Sequence, residues 1–181
     1  STSYEEKAKL TPYAALSYDI DQNHTVYGSV TGIFNPQEYY SASGGLLDPV
    51  EGTNYEVGVK GEYFGGRLNA SLALFQINQT NLPDALPLTS CSNSVASCYA
   101  AAGEVRSRGV EVELSGNVTD NWRIFAGYAY VSAEYLEDSE GGLAGDRYGT
   151  QTPRHLVTLS TVYTFDGQLE GWRLGASARI Q

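Results

Sequence analysis

Residues 54–75, "NYEVGVKGEYFGGRLNASLALF", read as two alternating runs joined by a Gly-Gly turn. Tyr55, Val57, Val59 and Tyr63 form one apolar file, and Asn54, Glu56, Lys60 and Glu62 form a polar file opposite it. Beyond Gly65 and Gly66 the apolar file resumes with Leu68, Ala70, Leu72 and Leu74, opposed by Asn69 and Ser71. Period-two alternation is the mark of a strand with two unlike faces. What lies on each side, a protein core and water or lipid and water, is the question that decides the fold.

The same alternation recurs along the chain, and helical spacing is nowhere sustained. Eight strands are predicted, at about 11–20, 25–34, 53–63, 67–79, 103–116, 122–134, 154–165 and 171–181. The class is all-β and antiparallel. Short connections at "DQNH", "FGG", "NVTDN" and "DGQLEG" carry the Gly, Asn and Asp residues that tight reversals need. They alternate strictly with long segments at 35–52, 80–102 and 135–153. Short turns at one end and long loops at the other are the pattern of an outer-membrane barrel.

Composition bounds the alternatives. The 181 residues are 41% hydrophobic and 12% aromatic, which argues against disorder. No run approaches the roughly 20 apolar residues of a spanning helix, a test that spanning strands escape. The net charge of -10, with basic residues in no run, argues against a nucleic-acid partner.

A second feature separates barrel from soluble sandwich. Tyr18, Tyr63, Phe64, Trp122, Tyr163, Phe165 and Trp172 gather at the short-turn ends. As core residues they would be spread along the strands; at one level they make an interfacial girdle. The apolar file is therefore assigned to lipid and the polar file to a wet lumen. Arg106 and Arg108 share the parity of Val110, where charge near the midplane would cost about 2–4 kcal/mol. Either they stand above the hydrocarbon and snorkel to headgroups, the preferred reading, or a bulge near Gly109 shifts the parity.

Cys91 and Cys98 bracket "SNSVAS" with no histidine nearby, so a short-loop disulfide in an oxidising compartment is expected over a zinc site or two free thiols. The acidic stretch "EYLEDSEGG" at 134–142 lacks the spacing of an EF-hand loop and reads as a hydrophilic loop. The four N-x-S/T sequons read as chance. His24 and His155 have no triad partners, and no phosphate cradle or metal cluster is visible, so no enzyme and no resident cofactor are expected. With long loops extracellular, parity places both chain ends on that side, and "SARIQ" stops within a strand pattern. The expectation is part of a larger barrel, since an open sheet in lipid leaves unpaired edges.

Several stretches resemble a known family. "LTPYAALSYDI", "YGSVTGIFNPQ", "LDPVEGTNYEVGVKGEYFGGRLNASLALFQINQTNL", "VRSRGVEVELSGNVTDNWRIFAGYAY" and "TPRHLVTLSTVYTF" are similar, in consistent order, to the later barrel region of TonB-dependent siderophore receptors of the ferric pyoverdine, coprogen and ferrichrome type. The resemblance implies a 22-strand barrel, with residues 1–181 forming roughly strands 12–19, and a plug and TonB box lying elsewhere. It also implies a multi-pass outer-membrane location and uptake of a ferric siderophore, with TonB and membrane lipid as partners and iron carried only as the siderophore complex.

Ligand contacts are expected in the long loops, from Phe34, Gln37, Tyr39 and Tyr40 in "FNPQEYY" and from Arg147, Tyr148 and Gln151 in "GDRYGTQ". The alternative is that these residues only pack the loops together. Two other functions remain open: a small complete outer-membrane barrel or adhesin without transport, and a secreted β-sandwich binding protein.

Overall fold

The computed structural model describes residues 10–92, 96–101, 103–138 and 142–181. Residues 139–141 of the acidic stretch and 93–95 between the cysteines lie outside them. Eight long strands form one antiparallel sheet: β1 (Tyr13–Asp19), β2 (His24–Asn35), β3 (Val50–Tyr63), β4 (Leu68–Thr80), β7 (Glu104–Asn117), β8 (Trp122–Tyr135), β9 (His155–Thr164) and β10 (Arg173–Ile180), in chain order with β1 and β10 at its edges. The second long connection, read as loop from sequence, contains a separate two-stranded pair, β5 (Pro83–Ala85) and β6 (Tyr99–Ala101). Three residues are too few for a period-two signal, which is why the sequence conceals them.

The turns form where local chemistry demands. Asp21 Oδ1 accepts from the backbone N–H of Asn23 at 2.7 Å and of His24 at 2.9 Å, closing the β1–β2 reversal. Between β3 and β4, Phe64, Gly65 and Gly66 all have positive φ (55°, 67° and 81°), a path that two glycines make accessible. Thr119 Oγ1 accepts from Trp122 N at 3.1 Å in the β7–β8 turn.

Register is continuous, so side chains align in rows across the sheet. One row runs Val26, Val59, Leu72, Val112, Tyr128 and Val157, all on one face. Much of this apolar face is exposed: Leu72 is 42% and Val112 43% accessible in this row, and Val57 55% and Leu74 53% in the next. Glu56, between Tyr55 and Val57 on the opposite face, is less exposed than either. Greasy side chains outward and charged ones inward is the arrangement expected where hydrocarbon is the outer solvent.

The outward face is banded along the strand axis. Tyr63, Trp122 and Tyr163 bound the apolar rows at the short-turn end, with Phe64 and Trp172 exposed beside them. Tyr163 also meets Phe165 edge-on at 5.2 Å, and Tyr18 is exposed on β1. At the other end stand Tyr130 and, one row higher, Tyr55, aromatics that the sequence alone does not bring together. Trp122 and Tyr130 are nine residues of one strand, inclusive, hence about 27 Å along it and about 21 Å in height at a tilt near 40°.

On β4, β7 and β8 the outward face turns polar from the row of Tyr55 upward. Asn78, Arg106 and Glu134 share one row, and Gln76, Arg108 and Ser132 share the next below. Gly109 pairs in register with Phe75 and with Val131, so no bulge shifts the parity of the arginines. Arg108 stands in the row of Val30 and Tyr55, at the rim of the apolar band, and Arg106 stands one row higher, ion-paired with Glu134.

Candidate functional site

All three long loops rise from the same end of the sheet, and backbone and side-chain bonds fasten them to one another. In the first loop, Gln37 is buried, 8% accessible, and its Nε2 donates to the Asp48 and Asn81 carbonyls, the latter at 2.8 Å. Asn81, in left-handed backbone geometry at φ 63°, donates from Nδ2 to Pro49 O at 3.0 Å. Gln37 therefore joins the root of the first loop to the root of the second.

A disulfide links Cys91 to Cys98, and Cys98 is 1% accessible. The loop it closes lies against the first loop: Tyr99 N donates to Tyr40 O and Ser92 N to Ala42 O, both at 2.9 Å. The Tyr39 and Tyr99 rings stand 4.5 Å apart between centroids. Tyr39 and Tyr40 nevertheless remain exposed.

The third loop closes over the second. Tyr135 Oη donates to Asp84 Oδ1 at 2.7 Å, and Tyr148 Oη donates to Pro83 O at 3.3 Å. The two rings meet edge-on at 5.3 Å, and Val105, Leu82 and Ala133 complete a small apolar cluster beneath them. Burial first, and then the bond to the Asp84 carboxylate, pushes the Tyr135 phenol well above the ordinary tyrosine range. Burial likewise raises Tyr148.

The seven residues singled out in the loops thus occupy different settings. Tyr39 and Tyr40 lie together on the accessible side of the first loop, and Gln151 is exposed in the third. Gln37 and Tyr148 are committed to loop-to-loop bonds. Arg147 Nη2 donates to the Thr152 carbonyl, while its backbone bridges Glu134. Phe34 falls on the outward parity of β2, paired with Glu51, apart from the others.

Below the loops, the inward face carries a feature the sequence reading saw only as a polar file. Tyr27 Oη donates to Glu56 Oε1 at 2.7 Å, and Lys60 Nζ lies 4.9 Å from the Tyr27 ring centroid. Tyr27 and Glu56, with Ser71, Glu111, Glu113 and Thr158, line a hollow of about 230 Å³. Glycines leave space for aromatic rings on this face: a Cβ at Gly58 would come within 2.7 Å of the Tyr27 ring, and one at Gly109 within 2.4 Å of Phe75. The alternation of Glu111 and Glu113 signals the acidic wall in sequence; the cross-strand meeting of Tyr27 with Glu56 does not show there. Among the described residues no cluster of His, Cys, Asp and Glu could hold a metal ion.

Comparison with known proteins places this architecture. A family model described as TonB dependent receptor-like, beta-barrel matches residues 1–181. The ferripyoverdine receptor of Pseudomonas aeruginosa is 38% identical over 181 aligned residues, covering 97% of this chain and 21% of its own length. The ferrioxamine B receptor of Salmonella typhimurium is 31% identical, covering 99% and 24%. The crystal structure of the Pseudomonas aeruginosa outer-membrane ferripyoverdine receptor bound to ferripyoverdine superposes with a TM-score of 0.75 at 35% identity, over 96% of this chain and 23% of that one. The chain thus spans between a fifth and a quarter of these relatives.

Proposed function

Because the chain belongs to the TonB-dependent receptor β-barrel family, we propose that it supplies part of the wall and three extracellular loops of an outer-membrane receptor that binds a ferric siderophore and imports it in a TonB-dependent manner. The plug, the TonB-contacting segment and the remaining strands lie in other parts of the full-length protein. Iron is cargo inside its chelate.

The observation that carries this reading is the division of one sheet into an apolar outward band edged by aromatics and a charged inward wall, with every long loop at one end. A sandwich would cover Val57, Leu72 and Val112; here they are exposed. Relatives named as receptors for ferripyoverdine and ferrioxamine B support the substrate class.

Ligand contact is assigned to the loop end. Tyr39, Tyr40 and Gln151 are accessible for contact with a bulky, polar chelate, Gln37 and Tyr148 fix the loops that present them, and Arg147 and Phe34 are weaker candidates. Iron enters only within the chelate, so apolar area plus a few directed hydrogen bonds suffices for recognition.

The test is replacement of residues 38–47 by a short Gly/Ser linker in the full-length receptor. The expected result is weakened ferric-siderophore binding and reduced ⁵⁵Fe uptake, with uptake by the unaltered receptor abolished in a strain lacking TonB. Uptake by the unaltered receptor that persists without TonB would reject the transport reading. Unchanged affinity after loop replacement would reject the ligand assignment.

A further inference from the structure

A hollow of about 540 Å³ opens between the loops, a size within the range of small-molecule sites. Each loop contributes to it: Leu47 from the first, Leu86 and Tyr99 from the second, and Asp138 from the third. Between these stand small residues, Ala42, Ala101 and Gly103, which leave room for a slender chain. The hollow adjoins the accessible tyrosines. Tyr99 lines it, packs against the Tyr39 ring at 4.5 Å between centroids, and donates from its backbone N–H to Tyr40 O at 2.9 Å.

The polar groups of the lining differ in what they have left to offer. The Ser41 and Ser43 hydroxyls stand 3.0 Å apart and bond to each other. Asp138 is the charged residue of the lining, is exposed, and forms no ion pair among the described residues. Its Oδ1 accepts from the Ala144 N–H at 2.8 Å, a bond that holds the carboxylate in place. Among the described residues no lysine or arginine lines the hollow, and a Cβ at Gly103 would come within 3.0 Å of Glu137 Oε2, so that edge is acidic. A fixed anion at the end of a mostly apolar slot is complementary to an aliphatic chain that ends in a cation: the methylenes gain by leaving water, and the ammonium gains a charge-assisted hydrogen bond.

Resting on the ferric-siderophore reading above, we propose that this hollow receives an amine-bearing aliphatic arm of the chelate. The Asp138 carboxylate accepts from the ammonium, the arm lies along Leu47, Leu86 and Ala101, and the iron-bearing head stays at Tyr39 and Tyr40. Tyr99 is a positioning residue, since it lines the hollow and holds Tyr39 by its ring and Tyr40 by its backbone.

The experiment titrates the full-length receptor, folded in neutral detergent, with ferrioxamine B, whose chain ends in a free primary amine, and with its N-acetylated form, which lacks that charge. The amine form should bind about threefold more tightly at low salt, the worth of one exposed ion pair, and the preference should shrink as salt is raised. Asp138→Asn should bring the two forms to equal affinity while leaving the N-acetylated form unaffected. Ala101→Phe fills the hollow without touching the charge and should weaken both forms. Glu170→Gln, an exposed carboxylate in the last short turn, should keep the preference intact. Heat-modifiable migration on electrophoresis verifies folding of each variant.

Equal affinity of the unaltered receptor for the two forms would overturn the assignment, as would binding of neither. So would an amine preference that survives Asp138→Asn. TonB-dependent ⁵⁵Fe uptake without any amine preference would reject this arm site and leave the import reading standing. A preference that depends on Asp138, with uptake that persists without TonB, would support the site while rejecting the import reading.

Discussion

The Tyr135 phenol donates a 2.7 Å hydrogen bond to Asp84 Oδ1, tying the upper end of β8 to the small β5 strand 51 residues earlier in the chain. Both residues are buried, at 5% and 7% accessibility, on a sheet whose outward apolar residues are exposed. The seam where the third loop closes on the second is thus tightly packed protein interior near the loops.

Tyr135→Phe keeps the ring and removes the donor. Asp84 then loses a partner while buried, a change that typically costs about 1–3 kcal/mol. The expected outcome is faster hydrogen exchange and proteolysis in segments 81–86 and 143–150, with exchange in β3, β4 and β7 unchanged. Uniform loss of protection across the sheet would show that the bond supports the fold as a whole.

The same seam sets a pH response. Tyr135 and Tyr148 have folded-state values raised above the ordinary tyrosine value near 10. A raised acid binds its proton more tightly in the closed loops, so this contribution is complete below the unfolded value and is lost as pH rises through the folded ones. Loop protection should hold from pH 7 to about 9 and decline above about 10, and a Tyr135→Phe, Tyr148→Phe double variant should show a shallower alkaline decline. Identical decline in both proteins would remove these phenols from the explanation.

Covalent closure by Cys91 and Cys98 should matter locally. They are separated by seven positions in sequence, and a ring of that size constrains the open loop by about 2–3 kcal/mol in the chain-entropy account. Replacing both with serine should loosen the Tyr39–Tyr99 contact, read as faster hydrogen exchange at Tyr99 and lower ferric-siderophore affinity. The thermal midpoint of the barrel should not move. A large fall in that midpoint would contradict a local role.

Face assignment predicts a sharp contrast between neighbours. Leu72 sits in the central outward row between Val59 and Val112, and Ser71 faces inward between Lys60 and Glu113. Leu72→Arg should lower stability in lipid vesicles by about 2–4 kcal/mol. Ser71→Arg, beside a carboxylate on the wet side, should cost less than about 1 kcal/mol. Equal costs, measured from urea midpoints in vesicles, would show that lipid does not contact the Leu72 face.

Alternation at residues 54–75 and its recurrence were enough to define eight strands, their two faces and the division into short turns and long loops. That legibility has a local cause, because side chains in a strand alternate and tight turns need Gly, Asn or Asp at fixed places. The aromatic level at Tyr63, Trp122 and Tyr163 could be read for the same reason, since strand ends are visible once turns are found. The pairing of Cys91 with Cys98 was foreseeable from their proximity in the chain.

Register and long-range contact were decided only by the tertiary structure. Whether Arg108 falls above or within the apolar band depends on its row partners Gln76 and Ser132, which are 32 and 24 positions away. The bonds of Gln37 to the second loop and of Tyr135 to Asp84 join residues 44 and 51 positions apart, so "FNPQEYY" alone could not distinguish the accessible Tyr39 and Tyr40 from the buried Gln37. Local pattern fixes which way a side chain points; only the packing of distant segments fixes what it meets.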